Sequence, residues 1–170
     1  MNKSSVDSDT DVELRGFSRS LPMMLLLARE AVLSRFRIYL REFDITEQQW
    51  RVLRAVHSHP DKEVTELAAL TALHQPSLSR ILRDLQARNL LQRRQPANDM
   101  RRARITLTAK GANIVRSLTP PFEKIYAEMS AAYGGRRLEE LQTLLTEFTD
   151  TLIALPPTEL GDRLKATGTD

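Results

Sequence analysis

Residues 65–108 of the 170-residue chain read TELAALTALHQPSLSRILRDLQARNLLQRRQPANDMRRARITLT, and their hydrophobic spacing changes period midway. Thr65 is a helix cap by residue type, and Glu66, Leu67, Ala68, Leu70 and Thr71 continue it as one short helix. Leu73-His74-Gln75 is a turn. Pro76 then stands where a first helical residue belongs, since its φ is already helical and its missing N–H would be an orphan there. Leu78, Ile81, Leu82 and Leu85 recur at i, i+3, i+4 and i+7, the buried stripe of a second helix. Gln75, Ser77, Ser79, Arg80, Arg83 and Asp84 fall on its other face. From Leu90 onward the pattern is that of strands: residues 90–94 and 103–107, joined by a turn at Gln95-Pro96-Ala97-Asn98-Asp99, form a β-hairpin with an arginine-rich tip.

These pieces have a joint physical meaning. A helix fits the major groove of duplex DNA, and residues near its N-terminus reach base edges. Gln75 and Pro76 stand at the leading end, Ser77 and Ser79 are small enough for close approach, and Arg80 and Arg83 reach bases or phosphates. The hairpin tip, Asn98-Asp99-Met100-Arg101-Arg102 with Arg104 behind it, can lay an arginine in the adjacent minor groove, where negative potential is strongest. Asp99 can hold the Arg101 guanidinium in one direction. Alone, an arginine-rich helix face or hairpin is ordinary solvated surface. In tandem after a short capped helix they define a winged helix-turn-helix.

Charge agrees with this. Lysine and arginine number 25 against 22 acidic residues, a net charge of only +3. Between Arg80 and Lys110, however, nine basic residues face two acidic ones, so that window carries +7 and the remainder −4. A block of positive charge on a neutral-to-acidic body is the footprint of a polyanion-binding face. Arginine supplies 20 of the 25 cations, which suits forked recognition of phosphates and guanine edges. With 41% hydrophobic residues the chain can bury a core, and without cysteine it has no disulfide, thiolate ligand or thiol switch. The most apolar run, residues 21–28, is too short for a bilayer; Asp7, Asp9, Asp11 and Glu13 precede it, unlike a secretory signal. A soluble cytoplasmic protein is expected. A Gly-rich phosphate loop, Gly-x-Ser-x-Gly and His-Glu-x-x-His are all absent, so catalysis is not expected.

Around this lobe the chain reads as helix. Residues 1–16 are a polar arm. Ser20 and Pro22 begin a helix to about residue 42, apolar on every side in its first half, which calls for cover by a second subunit. Thr46-Glu47-Gln48-Gln49 is a capping box opening a helix with Trp50, Leu53 and Val56 on its buried side, ended by residues 57–60. Residues 62–64 suggest a short strand. Thr108 caps a long helix to about residue 133, expected to be disturbed at Thr119-Pro120-Pro121. Gly134-Gly135 breaks it, an amphipathic helix covers residues 137–155, and residues 156–170 are a tail. The fold class is therefore mainly α with a small β-wing, the lobe spanning residues 46–108 within a protomer of residues 17–155.

Residues 21–155 resemble the MarR family of dimeric winged-helix transcription regulators. The resemblance is carried by Thr46-Glu47-Gln48-Gln49-Trp50, Glu66-Leu67-Ala68, Pro76-Ser77-Leu78-Ser79-Arg80, the Asp-x-Arg wing motif at Asp99-Met100-Arg101-Arg102, and Leu107-Thr108-x-x-Gly111. Leu27-Ala28-Arg29-Glu30-Ala31, Phe36-Arg37 and the segment around Pro76 look like the subgroup controlling homoprotocatechuate (4-hydroxyphenylacetate) degradation, although Ile38 replaces the common proline after Phe-Arg. Relatives of similar sequence control fatty-acid efflux, so a regulator of efflux or stress genes responding to fatty acids or other phenolic ligands is an alternative within the family. The resemblance implies a homodimer formed by residues 20–42 and 109–155, acting as a repressor on a pseudo-palindromic operator.

It also implies a small aromatic acid as effector, bound between the dimerisation helices and the DNA-binding lobe. Met23, Leu27, Phe36 and Trp50 can supply flat apolar contacts, and Arg29, Arg37, Arg51 or His57 a cation for the carboxylate. At helical spacing the apolar four are core residues first. His57-x-His59-x-Asp61 has metal-ligand residue types, but lacks a thiolate or third histidine nearby, and neither metal nor cofactor is expected. A helical module binding an acidic protein partner remains the alternative to a DNA-binding regulator.

Overall fold

The computed structural model describes residues 20–60, 62–94 and 104–156. Six helices and one hairpin follow in the order α1 (Leu21–Glu42), α2 (Glu47–Ser58), α3 (Val64–Thr71), α4 (Gln75–Ala87), β1 (Leu91–Arg94), β2 (Arg104–Leu107), α5 (Ala109–Tyr133) and α6 (Gly135–Ala154). The expected N-terminal arm, the wing-tip residues Asp99, Arg101 and Arg102, Asp61, and the tail from residue 157 lie outside the described residues.

The chain divides into two compact units, one up to Phe122 and one from Glu123. In the first, α2, α3 and α4 close on a core of Val52, Leu53, Val56, Leu67, Leu78, Leu82 and Leu85, which the hairpin extends with Leu90, Leu91 and Ile105. β1 and β2 pair antiparallel from Leu91↔Leu107 to Arg94↔Arg104, and Glu63 adds one bridge to Arg104 in place of the short strand expected at residues 62–64. The capping box of α2 is present: the Gln49 N–H donates to Thr46 Oγ1 at 3.2 Å and the Thr46 N–H to Gln49 Oε1 at 2.8 Å.

Two local expectations need correction. Helix α3 is capped by Glu63 rather than Thr65. The Glu63 N–H donates to Glu66 Oε2 at 2.8 Å, and Lys62 holds the same carboxylate, so the cap lies two residues nearer the N-terminus. Helix α5 runs unbroken through Pro120 and Pro121. Their missing N–H groups leave the carbonyls of Arg116 and Ser117 without intrahelical partners, but both residues are exposed and water can satisfy them. At the start of α5, the Thr108 hydroxyl donates to Asn89 O at 2.7 Å and accepts the Gly111 N–H at 3.1 Å. Gly111 is obligatory there, because a Cβ would overlap the Leu90 carbonyl oxygen and lie 3.1 Å from Leu107 Cδ2.

The second unit holds the rest of α5 and all of α6. Gly134 joins them at φ 96°, and no residue of α6 is buried within the protomer. Large apolar side chains stand open on α6, with Leu144 62% and Ile153 77% exposed, and on α1, with Met24 55% and Leu27 53% exposed. Among the described residues no helix is long and apolar enough to cross a membrane.

Candidate nucleic-acid interface and effector corner

The turn between α3 and α4 is built tightly. Ala72 adopts left-handed backbone (φ 48°, ψ 43°) and returns its N–H to α3 carbonyls, the Schellman-like ending in which glycine is commoner. Thr71, fully buried, donates its hydroxyl to Leu67 O at 2.6 Å, while Arg51 of α2 donates to Thr71 O at 2.8 Å. His74 precedes α4 without a side-chain cap, so the leading N–H groups of α4 are open to an anion.

Helix α4 then separates its faces as its periodicity requires. Leu78, Ile81, Leu82 and Leu85 are buried, and Gln75, Pro76, Ser77, Ser79, Arg80 and Arg83 are all exposed. Among the described residues Arg83 makes only a long 3.4 Å bond to Ser79 O and Arg80 makes no ion pair, which leaves both guanidinium groups available to a polyanion there. Arg93 and Arg104 are exposed at the described ends of the hairpin.

The effector candidates fall into separate groups. Arg29 and Arg37 of α1 converge on Glu30 and on Glu47, the first residue of α2: Arg29 reaches Glu30 at 2.8 Å and Glu47 at 3.2 Å, and Arg37 reaches Glu30 at 2.5 Å and grips Glu47 through Nε. The Arg37 hydrogen bond holds the Glu30 carboxyl below its ordinary range, and Glu30 and Glu47 in turn push the Arg37 guanidinium further up. Phe36 and Trp50 meet on Phe122 of α5, edge-on at 4.8 and 5.0 Å, with Tyr39 at 6.4 Å. Met23 is half-buried and Leu27 exposed on α1, Arg51 is engaged at the turn, and His57 is exposed at the end of α2. A cleft of about 550 Å³ opens beside the ion cluster, lined by Arg37, Leu40, Arg41, Asp44, Ile45, Thr46, Glu47 and Gln48. Among the described residues no group of three potential ligands could hold a metal ion.

Sequence reasoning missed Glu47 and Phe122 as members of this corner. Arg29, Glu30 and Arg37 do share one face of α1 at i, i+1 and i+8, which is a readable signal; Phe122, behind two prolines, carries none.

Together, a short helix, a tight turn, a groove-sized helix with a basic outer face and a basic hairpin define a winged-helix DNA-binding protein. The MarR family model matches residues 43–102. The homoprotocatechuate degradative operon repressor of Escherichia coli is 34% identical over 129 residues, covering 76% of this chain and 87% of that protein. Among solved structures, transcriptional regulator PA4135 superposes with TM-score 0.72 at 34% identity, covering 81% of this chain and 98% of its own. NadR, solved in complex with 4-hydroxyphenylacetate, superposes with TM-score 0.69 at 30% identity, covering 79% and 96%. The chain belongs to the MarR family. It is a DNA-binding transcriptional regulator of the repressor type, homologous to a repressor of aromatic catabolism, and the relatives it matches are regulators rather than enzymes.

Proposed function

We propose that the protein is a cytoplasmic, non-catalytic homodimeric repressor of a catabolic operon. It leaves a pseudo-palindromic operator when a small aromatic acid of the homoprotocatechuate or 4-hydroxyphenylacetate type binds at the α1–α2 corner. The observation that carries this reading is the pair Arg29 and Arg37, held by exchangeable carboxylates beside Phe36 and Trp50. An arylacetate offers what such a corner binds: a carboxylate for a guanidinium and a ring for flat apolar walls.

In the dimer, α1, α5 and α6 bury their open apolar faces against the partner, and two copies of α4 enter successive major grooves ~34 Å apart. Gln75, Pro76, Ser77, Ser79, Arg80 and Arg83 face the bases and phosphates there. Asp99, Arg101, Arg102 and Arg104 of the wing serve the minor groove. Met23, Leu27, Phe36 and Trp50 contribute the apolar side of the effector site, Arg29 and Arg37 its principal cations, and Arg51 and His57 lie on the helix that follows. Bound effector takes Arg37 from Glu47 and favours a different helix separation; a coupling of about 1–3 kcal/mol is sufficient. The similarity to NadR and to the E. coli repressor supports the ligand class.

The test is fluorescence anisotropy on the intergenic DNA upstream of its own gene, at ~150 mM salt with competitor DNA. Titrations run with and without homoprotocatechuate and 4-hydroxyphenylacetate. Specific binding released by either compound is expected. Specific binding indifferent to both refutes the effector class and makes fatty acids the next ligands to try; no sequence preference refutes the repressor reading altogether.

A further inference from the structure

Helix α4 is fastened to the body of the protein by a polar contact that the capping box of α2 makes possible. Gln49, third residue of α2, uses both ends of its amide. Oε1 accepts the Thr46 N–H at 2.8 Å, closing the box, and Nε2 donates to Asp84 Oδ2 of α4 at 2.7 Å. Asp84 lies one turn after Arg80, about 40° around the helix from it. Arg88, one turn further on, comes within 3.8 Å of Asp84 and 3.5 Å of Asp44, and donates to Phe43 O at 3.3 Å. The same first turn of α2 carries Glu47, gripped by Arg29 and Arg37. One turn of helix therefore holds the arginines of α1 on one residue and the aspartate of α4 on another.

The residue type matters. Glutamate and glutamine both close a capping box, because each offers an acceptor to the backbone N–H. Only the amide can accept on one side and donate on the other. A glutamate at position 49 would keep the cap and set a second carboxylate against Asp84.

We propose that Gln49 is a positioning residue for DNA reading: through Asp84 it sets the angle of α4 on the body, and it joins α4 to the ion cluster of α1. The inference rests on α4 being the helix that enters the groove.

A double-mutant cycle tests it, with Gln49→Glu, Asp84→Asn and the pair together. In the double variant the amide introduced at position 84 donates to the carboxylate introduced at position 49, so the contact returns with donor and acceptor exchanged. Binding of the intergenic duplex upstream of the protein's own gene is read by anisotropy at one fixed salt concentration, alongside thermal melting. Gln49→Glu is expected to weaken binding about tenfold while Asp84 is present, and by no more than about twofold once Asp84→Asn is in place, a non-additivity of the size seen for contacting residues. Net charge alone gives single effects that multiply in the double variant, and that result overturns the proposal. So does coupling that appears in melting temperature but not in DNA affinity, since the contact would then be structural only. Arg80→Ala runs in parallel. If it leaves binding unchanged, α4 does not read DNA and the proposal falls with that reading; if it weakens binding while the cycle is multiplicative, the role of Gln49 alone is refuted.

Discussion

Phe122→Leu is the sharpest test of how α1, α2 and the middle of α5 are held together. Phe122 is 2% exposed and receives Phe36 and Trp50 edge-on at 4.8 and 5.0 Å and Tyr39 at 6.4 Å. Leucine retains most of the apolar area, so the loss falls mainly on the edge-to-face geometry. Each such pair adds about 0.5–1.5 kcal/mol beyond area burial. Two close pairs and one distant one give about 1.5–3 kcal/mol. For a chain of this size each kcal/mol moves Tm by about 2–4 °C, so the variant should melt roughly 3–12 °C lower. Circular dichroism melts at matched protein concentration provide the measurement, since association shifts Tm by mass action. Trp50→Leu should lose about half as much, and the two together should fall short of additivity because they share one contact. A Phe122→Leu protein melting within about 2 °C of the parent would show that the rings meet without specific geometry, and the shape of the proposed effector wall would go with it.

Other outcomes follow from single contacts. Arg80→Ala should weaken operator binding by about 1–3 kcal/mol and relax preference at one base position, read by anisotropy on a panel of point-substituted duplexes; an unchanged preference profile would leave Arg80 a phosphate contact. Gly111→Ala should destabilise by about 2–3 kcal/mol in denaturant unfolding, because its Cβ would meet the Leu90 carbonyl, which belongs to the backbone and cannot rotate away. Glu30 has a folded-state pKa depressed first by the Arg37 hydrogen bond, so its contribution is present above the ordinary value of 4.5 and is lost as pH falls through the lower folded value. The Tm difference between the parent and Glu30→Gln should therefore be seen at neutral pH and vanish on acidification; a difference that grows in acid would contradict the sign.

The parts legible in the sequence have a strong local cause. Thr46 and Gln49 declare the start of α2 by reciprocal hydrogen bonds, and Leu78, Ile81, Leu82 and Leu85 declare the buried side of α4 by period alone. Residue type misplaces the start of α3 because threonine outranks glutamate as a cap, whereas here Glu66 reaches back to Glu63 and Lys62 steadies it. The prolines of α5 mislead for the opposite reason: a local rule forbids them, but exposed carbonyls remove most of the penalty. The effector corner is long-range. Glu47 reads as a helix-opening acid, and nothing local says that two arginines 10 and 18 residues earlier will close on it. Arg51 likewise reads as a free cation until the fold sets it on Thr71 O, 20 residues away.

The two fastenings of α1 to α2 differ in a way that suits a switch. The aromatic contact through Phe122 is apolar and largely buried, and no solute can substitute for one of its members without opening the core. The ion cluster is different. Its members are one-fifth to one-half exposed, so water screens each pair and side-chain entropy opposes it, and pairs of this kind are individually weak. A weak link is what a small molecule can overturn, since effector coupling is itself a modest free energy. Arg37 is a guanidinium and keeps its charge across the working pH range whatever its partners, so loss of its own proton cannot operate it. Exchange of one carboxylate for another can. In the proposed response, an arylacetate that paired with Arg37 in place of Glu47 would break a weak link and leave the aromatic contact intact, so α1 could pivot against the first turn of α2 without the lobe unfolding. On that reading, strengthening the cluster would raise affinity for DNA and blunt the response together, so its marginal energy suits control rather than stability.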